Sequence, residues 1–159
     1  MEWNPQLQII GQVAIAIVLG GIVGIEREIA DKPAGLRTNM LVAGAAALLV
    51  KLGEALVQHF AYMEPAAIMR FDTTRIIEAI ITGIAFLGAG TIIRRQHEER
   101  IEGLTTAATI LVCATIGITV ALEKYIIAGG VTLLALFILV GIKFIEKLLV
   151  PSERVNRSA

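Results

Sequence analysis

The chain has 159 residues, of which 56% are hydrophobic and 18% charged, and its formal net charge is zero. With a mean hydropathy of +0.77, it has too little polar surface to disperse a soluble domain of this length. The balanced charge offers no footprint for nucleic acid, and the lone Cys113 excludes an internal disulfide.

One membrane domain is therefore expected over residues 1–150, with 151–159 as a short tail. The start, Met1 to Pro5, lacks the basic n-region of a signal peptide, so the first apolar stretch is expected to be retained. Apolar runs of about 20 residues can cross a hydrocarbon core about 30 Å thick. Five are read, at about 7–25, 38–58, 76–94, 104–122 and 125–145. They are continuous rather than alternating, so they must satisfy their backbones as helices and not as a barrel. In the second, Lys51 and Glu54 interrupt the apolar run. The alternative there ends the span near Val50 and makes 51–62 an interfacial amphipathic segment.

Two segments repeat each other 68 residues apart. Leu19-Gly20 aligns with Leu87-Gly88, Glu26-Arg27 with Arg94-Arg95, and Gly35-Leu36-Arg37-Thr38 with Gly103-Leu104-Thr105-Thr106. Each unit reads as an apolar helix, a charged loop, a Gly-Leu-x-Thr turn and a second apolar helix. The expected fold class is thus an all-α membrane protein of five transmembrane helices, two tandem hairpins in parallel repeat plus a fifth helix.

Basic residues set the expected orientation. Ten of them (Arg27, Lys32, Arg37, Arg94, Arg95, Arg100, Lys143, Lys147, Arg154, Arg157) fall on one side and three (Arg70, Arg75, Lys124) on the other. The positive-inside bias then places the N-terminus outside and the C-terminus in the cytoplasm. Trp3, Tyr62 and Tyr125 fall on the outer boundary in this arrangement.

The first cytoplasmic loop holds Glu26, Arg27, Glu28, Gly35, Arg37, Thr38 and Asn39. Pro33 and Gly35 break the helix, and Thr38 or Asn39 is placed to cap the next one. Glu26 and Arg37 each sit against the favourable sign of their helix terminus, which a pair across the hairpin would relieve. Reach of Arg37 to lipid headgroups is the alternative. In the second copy Arg94 stands where Glu26 stands in the first, so a Glu26 contact to Arg94 or Arg95 is a candidate seam between halves. His97 lies among carboxylates, but one imidazole in a charged loop is ordinarily solvated, and the sequence assigns no metal ligands.

Lys51, Glu54 and Glu78 are ionisable groups within spans, where such residues are rare unless paired or lining a polar path. They read either as a polar cluster for a cation between helices two and three or as a salt bridge at the outer rim. No nucleophile–base arrangement is present, so an enzyme is not expected. Small residues mark close helix packing: Gly20 and Gly24 follow Ala16 at four-residue steps, and Gly83, Gly88 and Gly90 mark the third span. Helices one and three could cross on these faces, or the faces could form a homodimer seam.

The stretches Gly24-Ile25-Glu26-Arg27-Glu28, Ala34-Gly35-Leu36-Arg37-Thr38-Asn39, Asp72-Thr73-Thr74-Arg75, Gly83 to Gly90 and Gly103-Leu104-Thr105-Thr106-Ala107-Ala108 resemble the transmembrane domain of the MgtC/SapB family. The sequence ends at Ala159, and the resemblance is to a short SapB-like form without a C-terminal ACT-like domain. It implies a bacterial inner-membrane protein linked to growth in low magnesium and, in pathogens, to survival in macrophages. It also implies a membrane-protein partner, since one member is understood to restrain the ATP synthase. The expected function is adaptation to low magnesium, without catalysis, through a partner or an ion, Mg2+ being the candidate. A cation transporter or channel subunit is the alternative.

Overall fold

The computed structural model describes residues 4–63, 73–95 and 100–142. Asn4 opens the first helix, its side chain accepting from the Gln6 amide at 3.1 Å. Pro5 takes the first helical position, where a missing N–H costs nothing. Helix α1 runs Pro5–Ile29 and α2 runs Leu36–Met63. Helix α3 covers Thr73–Thr91, α4 Leu104–Ala121 and α5 Tyr125–Leu136, which continues as a π-helical stretch over Phe137–Ile142. Each of the five holds a stretch long and apolar enough to cross a membrane. The protein is an all-α membrane protein of five spans. Helix α2 passes unbroken through Lys51 and Glu54, so no break occurs at Val50.

The α3–α4 connection is more ordered than the plain charged loop read from the sequence. Strand β1, Ile93–Arg95, pairs antiparallel with β2, Arg100–Glu102, in the register Ile93↔Glu102, Arg94↔Ile101 and Arg95↔Arg100. Three-residue strands carry no readable periodicity. Gly103 links the ribbon to α4 at φ +90°, and a Cβ there would collide with the Thr91 carbonyl oxygen. Only glycine fits that position.

Helix α4 is the most buried span and touches each of the other four. The closest pair is α1 with α2. A Cβ on Gly20 would stand 2.6 Å from the Ala43 Cβ, and one on Gly24 would stand 2.8 Å from the Leu36 Cα. Gly117 lets α4 reach the Ala43 backbone of α2. Gly88 of α3 faces Ala107 of α4, with 3.4 Å from its notional Cβ to the Ala107 Cβ. The fully buried residues among those described are small or medium, the largest being Ile116 and then Val23, Val50 and Val120. Lipid is as apolar as these side chains, so the bundle holds together by close backbone approach and dispersion rather than by leaving water.

Two packing expectations are corrected. Helix α1 uses its glycine face on α2, with no substantial contact to α3, because the hairpin partner is already antiparallel and adjacent. Gly83 and Gly90 do not pack against the described residues: a Cβ on either meets none of them within 4 Å. They lie on the outward side of α3, and Gly129 and Gly130 of α5 are equally open.

Candidate functional site

Polar groups gather at the two ends of the bundle. At the hairpin end, the last turns of α1 carry Glu26 and Arg27. Arg27 is only 4% exposed, and its Nε donates to Glu26 Oε2 at 2.6 Å. A charge-assisted bond of this length satisfies two groups that would otherwise be costly to bury. Glu26 is thus partnered by its neighbour and not by Arg37, which is exposed and free to reach headgroups.

The cap of α2 also differs from the expectation. Glu28, reaching over from α1, accepts the Leu36 amide at 2.9 Å. It occupies the space that Gly35 leaves, since a Cβ on Gly35 would collide with its carboxylate. Thr38 is exposed and lies within the helix, so it does not cap. Asn39 is fully buried and donates through Nδ2 to both the Ala34 and Gly35 carbonyls at 2.8 Å. It fastens the loop instead of capping the amides, and its Oδ1 is buried without a partner.

In the second copy, Arg94 and Arg95 lie in β1, but their side chains and all of His97 fall outside the described residues, as does the Glu26 seam to Arg94 or Arg95. Gly103 precedes α4, Thr105 is exposed with its carbonyl accepting from Thr109 Oγ1 at 2.7 Å, and Thr106 is buried in the first turn.

The opposite end holds a network that joins four elements. Gln12 of α1, 8% exposed, donates through Nε2 to Glu123 Oε1 at 3.1 Å and to the Tyr125 hydroxyl at 3.4 Å. Lys51 of α2 places its Nζ 3.0 Å from Glu54 Oε2 and 3.8 Å from Glu123 Oε1. Glu123 occupies the α4–α5 turn at φ +61°, an uncommon conformation for a non-glycine residue that brings its carboxylate back over the bundle. Gln12 Oε1 is buried with no partner. The amide orientation is fixed, because turning it over would set oxygen against the Glu123 carboxylate.

Lys51 and Glu54 are therefore paired, and Glu78 is not with them. It is exposed on α3 and forms none of the network's bonds. Sequence reasoning missed Gln12 and Glu123 as members and took Tyr125 only as a boundary aromatic. Two signals were present: an amide one and a half turns inside an apolar span, and an acidic residue in a very short turn.

Between the two ends the described interior is mostly small and apolar, with the buried threonines Thr109 and Thr132 bonded to carbonyls of their own helices. Ala16, Val23, Ala43, Ala46, Ala47 and Ala114 are buried there. No group of three or more His, Cys, Asp and Glu residues able to hold a metal is present among the described residues, and Cys113 is buried within α4.

These features define a multi-pass helical membrane protein with a close-packed core and polar ends. The MgtC family model matches residues 13–148, and the chain belongs to that family. It is 32% identical over 145 residues to the protein named SapB of Bacillus subtilis, covering 91% of this chain and 60% of that one. It is 37% identical over 120 residues to the protein named MgtC of Brucella abortus, covering 74% of this chain and 44% of that one. It is 34% identical over 116 residues to the Escherichia coli K12 protein named "Putative magnesium transporter YhiD", covering 72% and 51% respectively. The chain spans about half the length of these relatives. No solved structure gives a significant match.

Proposed function

We propose that this protein serves adaptation to low magnesium in a bacterial inner membrane, acting without catalysis by docking a membrane partner. The carrying observation is a pair of small faces left uncovered by the described residues: Gly83 and Gly90 of α3 and Gly129 and Gly130 of α5 are open. Small residues on an outward helix face suit close approach by another helix, from a second copy or from a partner such as the ATP synthase implied by the family resemblance. The magnesium link draws on family membership and on a relative's name. The basic-residue bias supports an outside N-terminus and a cytoplasmic C-terminus.

The test is complementation of a deletion strain at limiting magnesium. Gly83→Leu and Gly90→Leu have room to fold, so abundance should hold while growth is lost. Normal growth of both variants at normal abundance would sink the docking reading. A transporter is the second reading, favoured by the polar network at the far end, and it predicts that both variants remain active.

A further inference from the structure

We propose that the cleft between α2 and α3, at the end of the bundle where α3 begins, holds one anionic phospholipid, with an acyl chain in the cleft and the phosphate on the Arg75 guanidinium. The cleft has a volume of about 360 Å³ and is lined by Leu49 of α2 and by Arg75, Ile76, Ala79 and Ile80 of α3. Ligand sites typically enclose about 300–1,000 Å³ and set an apolar wall against a few placed polar groups.

The cleft follows from how α3 packs. With α5 it is the least buried of the five spans, and it leans on α4 more than on α2, its predecessor in the chain. Gly53 of α2 receives the Ile76 side chain, and one turn back along α2 Leu49 lines the cleft with Ala79 and Ile80. Ile80 is buried whereas Leu49 and Ala79 are exposed, so the cleft opens on the surface that lipid covers. Its wall is apolar, so Arg75 contributes the aliphatic stem and keeps its guanidinium at the mouth.

The order of groups along α3 selects the occupant. Arg75 lies in the first turn, and Ile76, Ala79 and Ile80 follow deeper in the span. A phospholipid carries its charge and its chain in the same order. None of the ion pairs or side-chain hydrogen bonds of the described residues involves the Arg75 guanidinium, although Glu78 follows one turn later on the same helix. The planar fork of a guanidinium suits two phosphate oxygens at once. A free phosphate would use Arg75 and leave the cleft empty. A plain hydrocarbon would fill the cleft and leave Arg75 without an anion. A phospholipid does both. The site is separate from the outward glycines of the docking reading, and its test is independent of growth at low magnesium.

Native mass spectrometry of the chain in mild detergent tests the site, with dioleoyl phosphatidylglycerol, dioleoylglycerol and glycerophosphate as probes. One phosphatidylglycerol should stay bound under conditions that strip the other two. Arg75→Gln should weaken its retention about fivefold or more, the scale of a lost hydrogen bond to a charged group, and Arg75→Lys should restore part of it. Ala79→Leu, which fills the cleft from an exposed position, should abolish retention. Lys124→Gln, at another exposed cation of the same end, should leave it unchanged. Equal retention of phosphatidylglycerol and dioleoylglycerol would overturn the proposal, as would an unchanged Arg75→Gln protein or an equal loss in Lys124→Gln. A ladder of several bound lipids insensitive to Ala79→Leu would show a general lipid coat and overturn it too. Should Ala79→Leu not assemble, Arg75→Gln against Arg75→Lys still decides, since both alter an exposed side chain.

Discussion

Gly20 of α1 and Asn39 of α2 meet backbone to backbone, a Cβ on Gly20 falling 2.6 Å from the Asn39 carbonyl oxygen. The contact recurs 68 residues on, where Gly88 faces Ala107, and α2 and α4 begin at the same spacing, at Leu36 and Leu104. The second version is looser, and it lacks the buried amide.

That difference sets the first prediction. Gly20→Ala should lose about 1–3 kcal/mol, the usual cost of overpacking, because the obstructing atoms are backbone and Cβ and cannot swing aside. Gly83→Ala should be neutral or slightly stabilising, having open space and a better helix former. Thermal unfolding in micelles would compare them, and equal losses would contradict the packing described.

Asn39 gives a second. Asn39→Ala removes both bonds to the loop and should cost about 1–3 kcal/mol. Asn39→Asp should be worse despite its shape, since a buried carboxylate would face two carbonyls. The order of the two unfolding midpoints is the measurement, and Asp above Ala would refute the assigned role.

Glu28 is a cap contributed by the preceding helix. Glu28→Ala should cost about 0.5–2 kcal/mol, the range for a lost helix cap. Amide exchange should quicken first at Leu36 and its neighbours. Unchanged exchange there would show that the carboxylate is dispensable.

The fourth prediction concerns orientation. Reporter fusions after Arg37, within residues 94–102 and after Lys147 should all read cytoplasmic, given the ten-to-three distribution of basic residues. A periplasmic signal at any one of them would reverse or break the topology.

The five spans were legible because each is a continuous apolar run, and continuity is a local property. Which helices touch is not local. Gln12 and Glu123 bond across 111 positions of sequence, and nothing near either names the other. Glu78 was grouped with Lys51 by depth alone, yet depth says nothing about azimuth, and α3 turns Glu78 outward. Thr38 and Asn39 have the chemistry of caps, but the helix begins before them, so Glu28 takes the task from another element. The small residues marked close contacts without naming the partner: Gly20 found α2 rather than α3, while Gly83 found nothing among the described residues.

Gly117 brings α4 onto Ala43 of α2, although α3 comes between them in the chain. That order has a bearing on biogenesis. Helices emerging from a translocon one after another would complete the α1–α2 hairpin first, then release α3 before its neighbour α4 exists. Helix α3 must stand aside at the rim while α4 slots into the centre against α2. A ribosome paused after α3 would leave the Ala43 face of α2 lined by lipid, an incomplete intermediate on which membrane quality control could act.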